Sequence, residues 1–403
     1  MFSFFFVYSL EFRVYSLRFT VYSLQMITKY INKVAAKVFY LLLPSLLLPS
    51  FLILSFSSCG LRKQTTTESE TQTAVGPAFN ADSALLFCQQ QCDFGPRTMN
   101  SKAHDLCEQW IINKFKSYGM TVIPQKCELK GYDGTTLHST NIIASYRPEL
   151  TDRILLCAHW DCRPWADNDP DEANWHKPVL AANDAASGVA VMLEIARLIS
   201  SPESGEVRRG LNEGEHNTDS VPPSQGNLSP LTSHLLPLNF GIDFICFDAE
   251  DYGFPQWETI DDPGNTWALG AQYWAANPHT PGYKARYGIL LDMVGGQGAQ
   301  FYQEIMSKHY AKHIVDKVWQ AAAVVGYGSS FPMTEGGAIT DDHIPVNTVA
   351  NIPCIDIIPY YPNCEQSTFG PTWHTLNDDM AHLDKNTLLA VGQTIIQVLF
   401  SEK

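Results

Sequence analysis

Ile242-Asp243-Phe244-Ile245-Cys246-Phe247-Asp248-Ala249-Glu250-Asp251 joins a short apolar run to an acidic end. A run this short, made mostly of β-branched and aromatic residues, fits one buried strand. The carboxylates of Glu250 and Asp251 then emerge at its C-terminal end, the edge where open α/β sheets place their ligands. Adjacent side chains on a chain leaving a strand point apart, so one acid can hold a metal while its neighbour moves protons. Taken alone, the string reads more simply as a solvated loop carrying two acids, and the rest of the chain has to decide.

The same alternation recurs on both sides. Residues 121–129, 139–145, 153–158, 287–291 and 354–358 are further short β-rich runs. Segments 81–92, 101–118, 185–199, 267–276, 303–325 and 385–400 read as helices, the last with an apolar stripe of Leu388, Leu389, Val391, Ile395, Ile396 and Leu399. Strands alternating with helices predict an α/β fold: a single domain whose central mixed, mainly parallel sheet is flanked by helices on both faces. In that arrangement His159, Asp184, Glu250, Asp251 and Asp292 each follow a strand or precede a helix. They are therefore expected to gather on one edge of the sheet.

The 403 residues are 45% apolar and 17% charged, enough for a large core. A formal net charge of -15 argues against a nucleic-acid partner, because a phosphate backbone would be repelled. Nine cysteines, at 88, 92, 107, 127, 157, 162, 246, 354 and 364, lack the paired Cys-x-x-Cys spacing of a zinc finger, and their disulfide connectivity is not readable. Residues 1–25 repeat Val-Tyr-Ser-Leu, a low-complexity start that makes Met26 the better initiator. Lys29, Lys33 and Lys37 then form a basic region, 38–56 an apolar stretch and Ser57-Ser58-Cys59-Gly60 a small-residue junction.

That arrangement over 1–59 resembles a bacterial lipoprotein signal with Cys59 as the lipidated residue. An uncleaved membrane anchor is the alternative reading. Both place the main domain outside the cytoplasm, in the periplasm or cell envelope and attached to a membrane. Residues 60–79 read as a flexible polar tether, 80–403 as the main domain, and 202–237 as a surface insertion within it.

Zinc takes histidine nitrogen and carboxylate oxygen, and a catalytic site leaves one position open. Asp184, Asp251 and His374 offer such a set. Each also has a plainer reading: Asp184 as a helix N-cap, His374 as a satisfied core or surface histidine. Asp292 can be a strand-end acid bonded to backbone, and Asp341 a cap.

Six motifs in one order narrow these choices: Cys157-Ala158-His159-Trp160-Asp161, Ala182-Asn183-Asp184, Phe247-Asp248-Ala249-Glu250-Asp251, Leu291-Asp292, Asp341-Asp342-His343-Ile344-Pro345 and Trp373-His374-Thr375. With them, the stretch from about 80 to 400 resembles the zinc-dependent glutaminyl cyclases (glutaminyl-peptide cyclotransferases) of the animal and bacterial type, which share their fold with zinc aminopeptidases. The resemblance implies one Zn2+ per chain on Asp184, Asp251 and His374, with Glu250 as general base and acid. It implies that Asp292 and Asp341 form a hydrogen-bonded acidic pair beside the reacting amide, and that Trp373 lines the substrate pocket. Trp257 is the candidate for a further pocket indole, on an alignment that needs a gap. Many relatives carry Glu where this chain has Asp251, a shorter carboxylate that can still ligate.

The reaction so implied is an acyl transfer converting the N-terminal glutamine of peptides or proteins to pyroglutamate with release of ammonia. His159 and Asp161 stay open between a second-metal and a structural role. In the aminopeptidase relatives the His-x-Asp histidine binds a second metal, bridged by Asp184 and completed by Asp292, and all of those ligand positions are kept here. The alternative is therefore a two-zinc aminopeptidase, and the third reading a non-catalytic surface binding lipoprotein. Asp341 and Trp373 are the residues expected to separate cyclase from peptidase.

Overall fold

A computed structural model describes residues 73–200, 238–258 and 266–402. The signal, Cys59, most of the tether and the 202–237 insertion lie outside the described residues. The elements run α1 (Ala81–Cys92), α2 (Lys102–Ser117), β1 (Thr121–Lys130), β2 (Thr136–Tyr146), β3 (Arg153–His159), α3 (Ala186–Ser200), β4 (Gly241–Phe247), α4 (Leu269–Ala276), β5 (Gly288–Leu291), α5 (Ile305–Val324), α6 (His343–Thr348), β6 (Cys354–Ile357) and α7 (Lys385–Ser401).

The sheet order is β1-β2-β4-β3-β5-β6. β4, β3, β5 and β6 are parallel, in register through His159↔Phe247, Cys157↔Leu290 and Leu291↔Ile357. β2 adds to β4 and β1 to β2, both antiparallel, so the sheet is mixed and mainly parallel as expected. β1 is the half-exposed edge and carries Pro124, which an edge strand tolerates because it need not donate on both sides.

Period-two alternation sorts the buried side chains onto two faces. Ile154, Leu156, Ala158, Phe244, Cys246, Ile289 and Leu291 join the large core under α1, α2, α3, α5 and α7. Their neighbours Leu155, Cys157, Ile245, Phe247 and Leu290 pack on the other face against Ala271 and Trp274 of α4 and Val346 of α6. Both faces are covered, which explains why β3 and β4 are apolar almost throughout and show no polar alternation. Helix starts are capped as their sequences imply: Asn80, Ser101 and Asp384 accept N–H groups from Ser83, His104 and Asn386.

Gly188 decides how closely α3 approaches the sheet. A Cβ there would sit 2.2 Å from the Leu291 carbonyl oxygen and 2.8 Å from Ala158 Cβ, so only glycine lets the helix start press onto β3 and β5. That contact sets the preceding loop, with Asp184, over the C-terminal edge of the sheet. α6 has no counterpart in the sequence reading, because six residues are too few to display a helical period. The nine cysteines from Cys88 to Cys364 are all free thiols. Among the described residues no helix is long and apolar enough to cross a membrane.

Candidate metal centre and active site

The C-terminal ends of β3, β4 and β5 deliver His159, Glu250 with Asp251, and Asp292. The loops before α3, α6 and α7 bring Asp184, Asp341 and His374 to the same edge. All seven are buried. Three overlapping groups have ligand atoms within 4.8 Å of one another: Asp184–Asp251–His374, His159–Asp184–Asp292 and His159–Glu250–Asp251.

The first group is the expected zinc set. His374 Nε2 lies 3.1 Å from Asp251 Oδ1 and 3.7 Å from Asp184 Oδ2. Asp251 Oδ2 is buried with no hydrogen-bond partner, a cost no fold keeps without compensation. One imidazole and two carboxylates with an orphaned oxygen fit a divalent cation with an open position, and zinc suits that donor set. In the second group His159 Nε2 is 2.8 Å from Asp184 Oδ1 and 3.3 Å from Asp292 Oδ1. Asp184 is thus shared between the two.

Each histidine is aimed from behind. His374 Nδ1 stands 3.4 Å from Asp167 Oδ1, whose carboxylate is gripped by Arg163 Nε and Nη2 at 3.1 and 2.6 Å. Arg163 Nη1 also donates to the carbonyls of Asp251 and Gly253, so one guanidinium holds both the carboxylate behind His374 and the turn that bears Asp251. His159 Nδ1 stands 3.5 Å from Asp161 Oδ1, and Asp161 accepts the N–H groups of Glu250 and Asp251, each at 3.1 Å. Asp161 therefore sits behind the site and holds it, the role such carboxylates play when they orient a ligating imidazole. Arg163 and Asp167 were not singled out from the sequence. Their signal is an Arg-x-x-x-Asp spacing starting two residues after Asp161.

Burial pushes Glu250 well above the usual carboxylate range; His159 opposes this, while Asp251, Asp341 and Asp342 add to it. Asp184 and Asp292 are raised to about 6, mainly by burial, with neighbouring carboxylates adding to it. Asp167 goes the other way: His374 and Arg163 outweigh its burial and hold it far below the ordinary value. Ala249, Met293 and His374 take φ values of 54°, 50° and 54°, in the left-handed region that side chains disfavour. Each costs roughly 1 kcal/mol or more, and each adjoins or is a site residue whose direction it sets.

A cavity of about 560 Å³ opens over these groups, with Asp184, Glu250, Asp251, Asp292, Asp341 and His374 among its lining. Trp373 lines it and stacks on the His374 ring at 3.8 Å between centroids. The second indole is Trp267, not Trp257. Trp267 lines the cavity and lies parallel to His374 at 5.9 Å. Trp257 packs outside that lining, with its ring 6.0 Å from Trp165, 6.2 Å from Trp175 and 4.6 Å from His176. The reason is local: Gly253 leaves space that Trp267 fills, since a Cβ there would meet the indole at 2.0 Å. The hydrogen bond expected between Asp292 and Asp341 is not formed either. Asp292 faces His159, while Asp341 accepts the Asp342 N–H through Oδ1 and leaves Oδ2 buried and unpaired.

The model of peptidase family M28 matches residues 141–399. The chain is 46% identical to the solved glutaminyl cyclase of Bacteroides thetaiotaomicron in complex with N-acetylhistamine. It covers 82% of this chain and 100% of that one with a TM-score of 0.71. A zinc-dependent exopeptidase structure from Parabacteroides distasonis is 43% identical, with coverage of 81% and 100% and the same TM-score of 0.71. Among curated relatives, the glutaminyl-peptide cyclotransferase of Gloydius blomhoffii is 25% identical over 278 residues, 65% of this chain and 65% of that protein's length.

Proposed function

The chain belongs to peptidase family M28, and we propose that it is a zinc-dependent glutaminyl-peptide cyclotransferase, turning N-terminal glutamine of peptides or proteins into pyroglutamate and ammonia. One observation carries the reading. The cavity over the Asp184–Asp251–His374 group also holds three buried acids outside that group, Glu250, Asp292 and Asp341, beside the indoles Trp373 and Trp267 that stack on His374. Identity of 46% to a glutaminyl cyclase across all of that chain supports it further.

Asp184, Asp251 and His374 would hold a single zinc, which when bound supplies positive charge to a carbonyl oxygen as it becomes an oxyanion. The remaining work belongs to the protein. The substrate's α-amino nitrogen attacks its own γ-carboxamide carbon, forming the lactam C–N bond. Glu250 takes the proton this nitrogen must lose and returns it to the departing amide nitrogen as the C–NH₂ bond breaks, so ammonia leaves and Glu250 is restored. Its raised proton affinity favours a base that can also act as an acid. Asp341, through its unpaired Oδ2, and Asp292 would accept hydrogen bonds from the leaving nitrogen. Trp373 and Trp267 confine the side chain so that amine and amide meet, and they narrow the access of competing water.

The two-zinc aminopeptidase remains the second reading, favoured by one observation: His159, Asp184 and Asp292 are themselves close enough to hold an ion. Incubation with a Gln-initiated peptide separates the two. Ammonia release with the peptide otherwise intact supports the cyclase, whereas shortening by one residue refutes it.

We also read 26–59 as an export signal that attaches the enzyme to a membrane through lipidated Cys59, outside the cytoplasm and away from nucleic acid. Fatty-acid labelling that Cys59→Ser abolishes is the expected result, and labelling unchanged in that variant would remove the assignment.

A further inference from the structure

Behind the cavity wall lies a buried acid that the reaction itself does not use. Glu304 is 2% exposed, caps the N-terminus of α5 and does not line the cavity. Its Oε1 accepts the N–H of Met306 at 2.7 Å and that of Ile339 at 3.0 Å. Its Oε2 accepts the Ser307 N–H and stands 3.4 Å from His343 Nε2. One carboxylate thus touches the helix start, the chain two residues before Asp341 and the side chain two residues after it.

We propose that Glu304 and His343 are positioning residues, a clamp that holds Asp341 in the cavity for the reaction. The inference rests on the cyclotransferase reading above.

The geometry around the clamp is directional. The chain leading to Asp341 is paired to the segment entering α5, through Gln303 N–H to Thr334 O, Gly336 N–H to Gln303 O and Ile305 N–H to Gly337 O. That pairing ends at Gly337, and beyond it Glu304 alone among the α5 cap contacts carries the chain on to Ile339. Ile339, Thr340 and Asp341 then form cavity wall. On the far side His343 is fully buried, between Glu304 and Asp356 Oδ2 at 3.9 Å. Asp356 in β6 is itself tied to α5 by its N–H on Ser307 Oγ at 2.9 Å. The segment bearing Asp341 is therefore hydrogen-bonded to Glu304 on one side, through the Ile339 N–H, and on the other is held by the packing of the buried His343 ring between the carboxylates of Glu304 and Asp356, while Asp341 Oδ2 stays unpaired.

Burial favours the neutral form of Glu304, yet His343, the Ser307 side chain and the Met306 N–H outweigh it and hold the group at about 2. It remains an anion throughout the range in which enzymes are assayed. A helix cap needs only an acceptor, and a neutral side chain serves; a group facing an imidazole as well as three N–H donors makes use of the charge.

The test compares Glu304→Gln, which keeps the size and loses the charge, with Ser101→Ala, which removes the cap of α2, a helix that does not line the cavity. Turnover of a Gln-initiated peptide, zinc content, Tm and amide hydrogen exchange over 338–346 are measured for both. The expected result is that Glu304→Gln lowers kcat about tenfold or more with KM within about twofold. Zinc content is retained and exchange over 338–346 accelerates, whereas Ser101→Ala lowers Tm and leaves kcat and that exchange alone. His343→Leu is expected to repeat the Glu304→Gln pattern and His343→Gln, which keeps a donor toward Glu304, to restore much of it. A Glu304→Gln enzyme with wild-type kcat and wild-type exchange over 338–346 overturns the proposal. Wild-type protein that releases no ammonia overturns the cyclotransferase reading instead, and the exchange comparison then decides the clamp alone.

Discussion

His374 and His159 are held in the same way and placed in opposite surroundings. Each turns Nε2 into the site and rests Nδ1 near a carboxylate, Asp167 for one and Asp161 for the other. Around His374 the charge is compensated and the walls are firm: Arg163 neutralises Asp167, and two indoles flank the ring. Around His159 there are mainly acids, with Asp184 and Asp292 at its Nε2. On the proposed reading, the first half would keep one cation under an aromatic wall. The second keeps acids in reserve, and whether those acids bind protons or a second ion decides between cyclisation and peptide hydrolysis. Asp292 is the pivot, because as a ligand it would no longer be free to meet the departing amide.

The largest effect is expected where the two halves meet. Glu250→Gln is near-isosteric and leaves Asp184, Asp251 and His374 untouched, so zinc content should match the wild type. Turnover is expected to fall by about 10³-fold or more, since both proton transfers are lost. Retained activity would take the proton-handling role from Glu250. Next come the histidines themselves. His374→Ala is expected to lose zinc and activity together, while His159→Ala keeps about one zinc per chain and loses activity only in part. Wild-type protein holding two zinc ions, one of them lost with all activity in His159→Ala, would erase the distinction and favour the peptidase.

The legibility of these halves in the sequence was unequal for physical reasons. Strands and helices of ordinary length carry their period openly, so β3, β4, β5 and α7 stand within a few residues of where the apolar runs place them. Site acids at strand ends are readable for the same reason, because an acid following a buried run has little choice but the sheet edge. Trp267 was not readable: the link between the Asp251 turn and the His374 ring is made by packing on Gly253, and chain spacing carries no trace of it. Arg163 escaped because a buried arginine declares itself only through its partners, which here are Asp167 four residues away and carbonyls at 251 and 253. Asp292 and Asp341 illustrate the converse. The order of motifs brought them to one cavity, while the contact between them depends on His159, which takes Asp292 first.

The support behind His374 gives a smaller and sharper prediction. Asp167→Asn keeps the shape and removes the charge facing Nδ1, so zinc affinity is expected to weaken by about 10- to 100-fold. Competition with a chelator of known affinity measures this. An unchanged affinity would mean that Arg163 and the indoles alone orient the ring.

The smallest expected effects separate Trp267 from Trp257. Trp267 lies parallel to the His374 ring, and Arg163 lies 4.5 Å from its centroid, so Trp267→Ala removes both a cavity wall and part of the brace. KM is expected to rise about tenfold as apolar contact with the substrate is lost, with zinc content little changed. Trp257→Ala removes an indole whose partners are Trp165, Trp175 and His176, outside the cavity lining, and KM should stay within about twofold. A larger change at Trp257 than at Trp267 would place the substrate along the outer aromatic cluster, and the His374 half would lose its claim to be the wall against which the glutamine side chain is held.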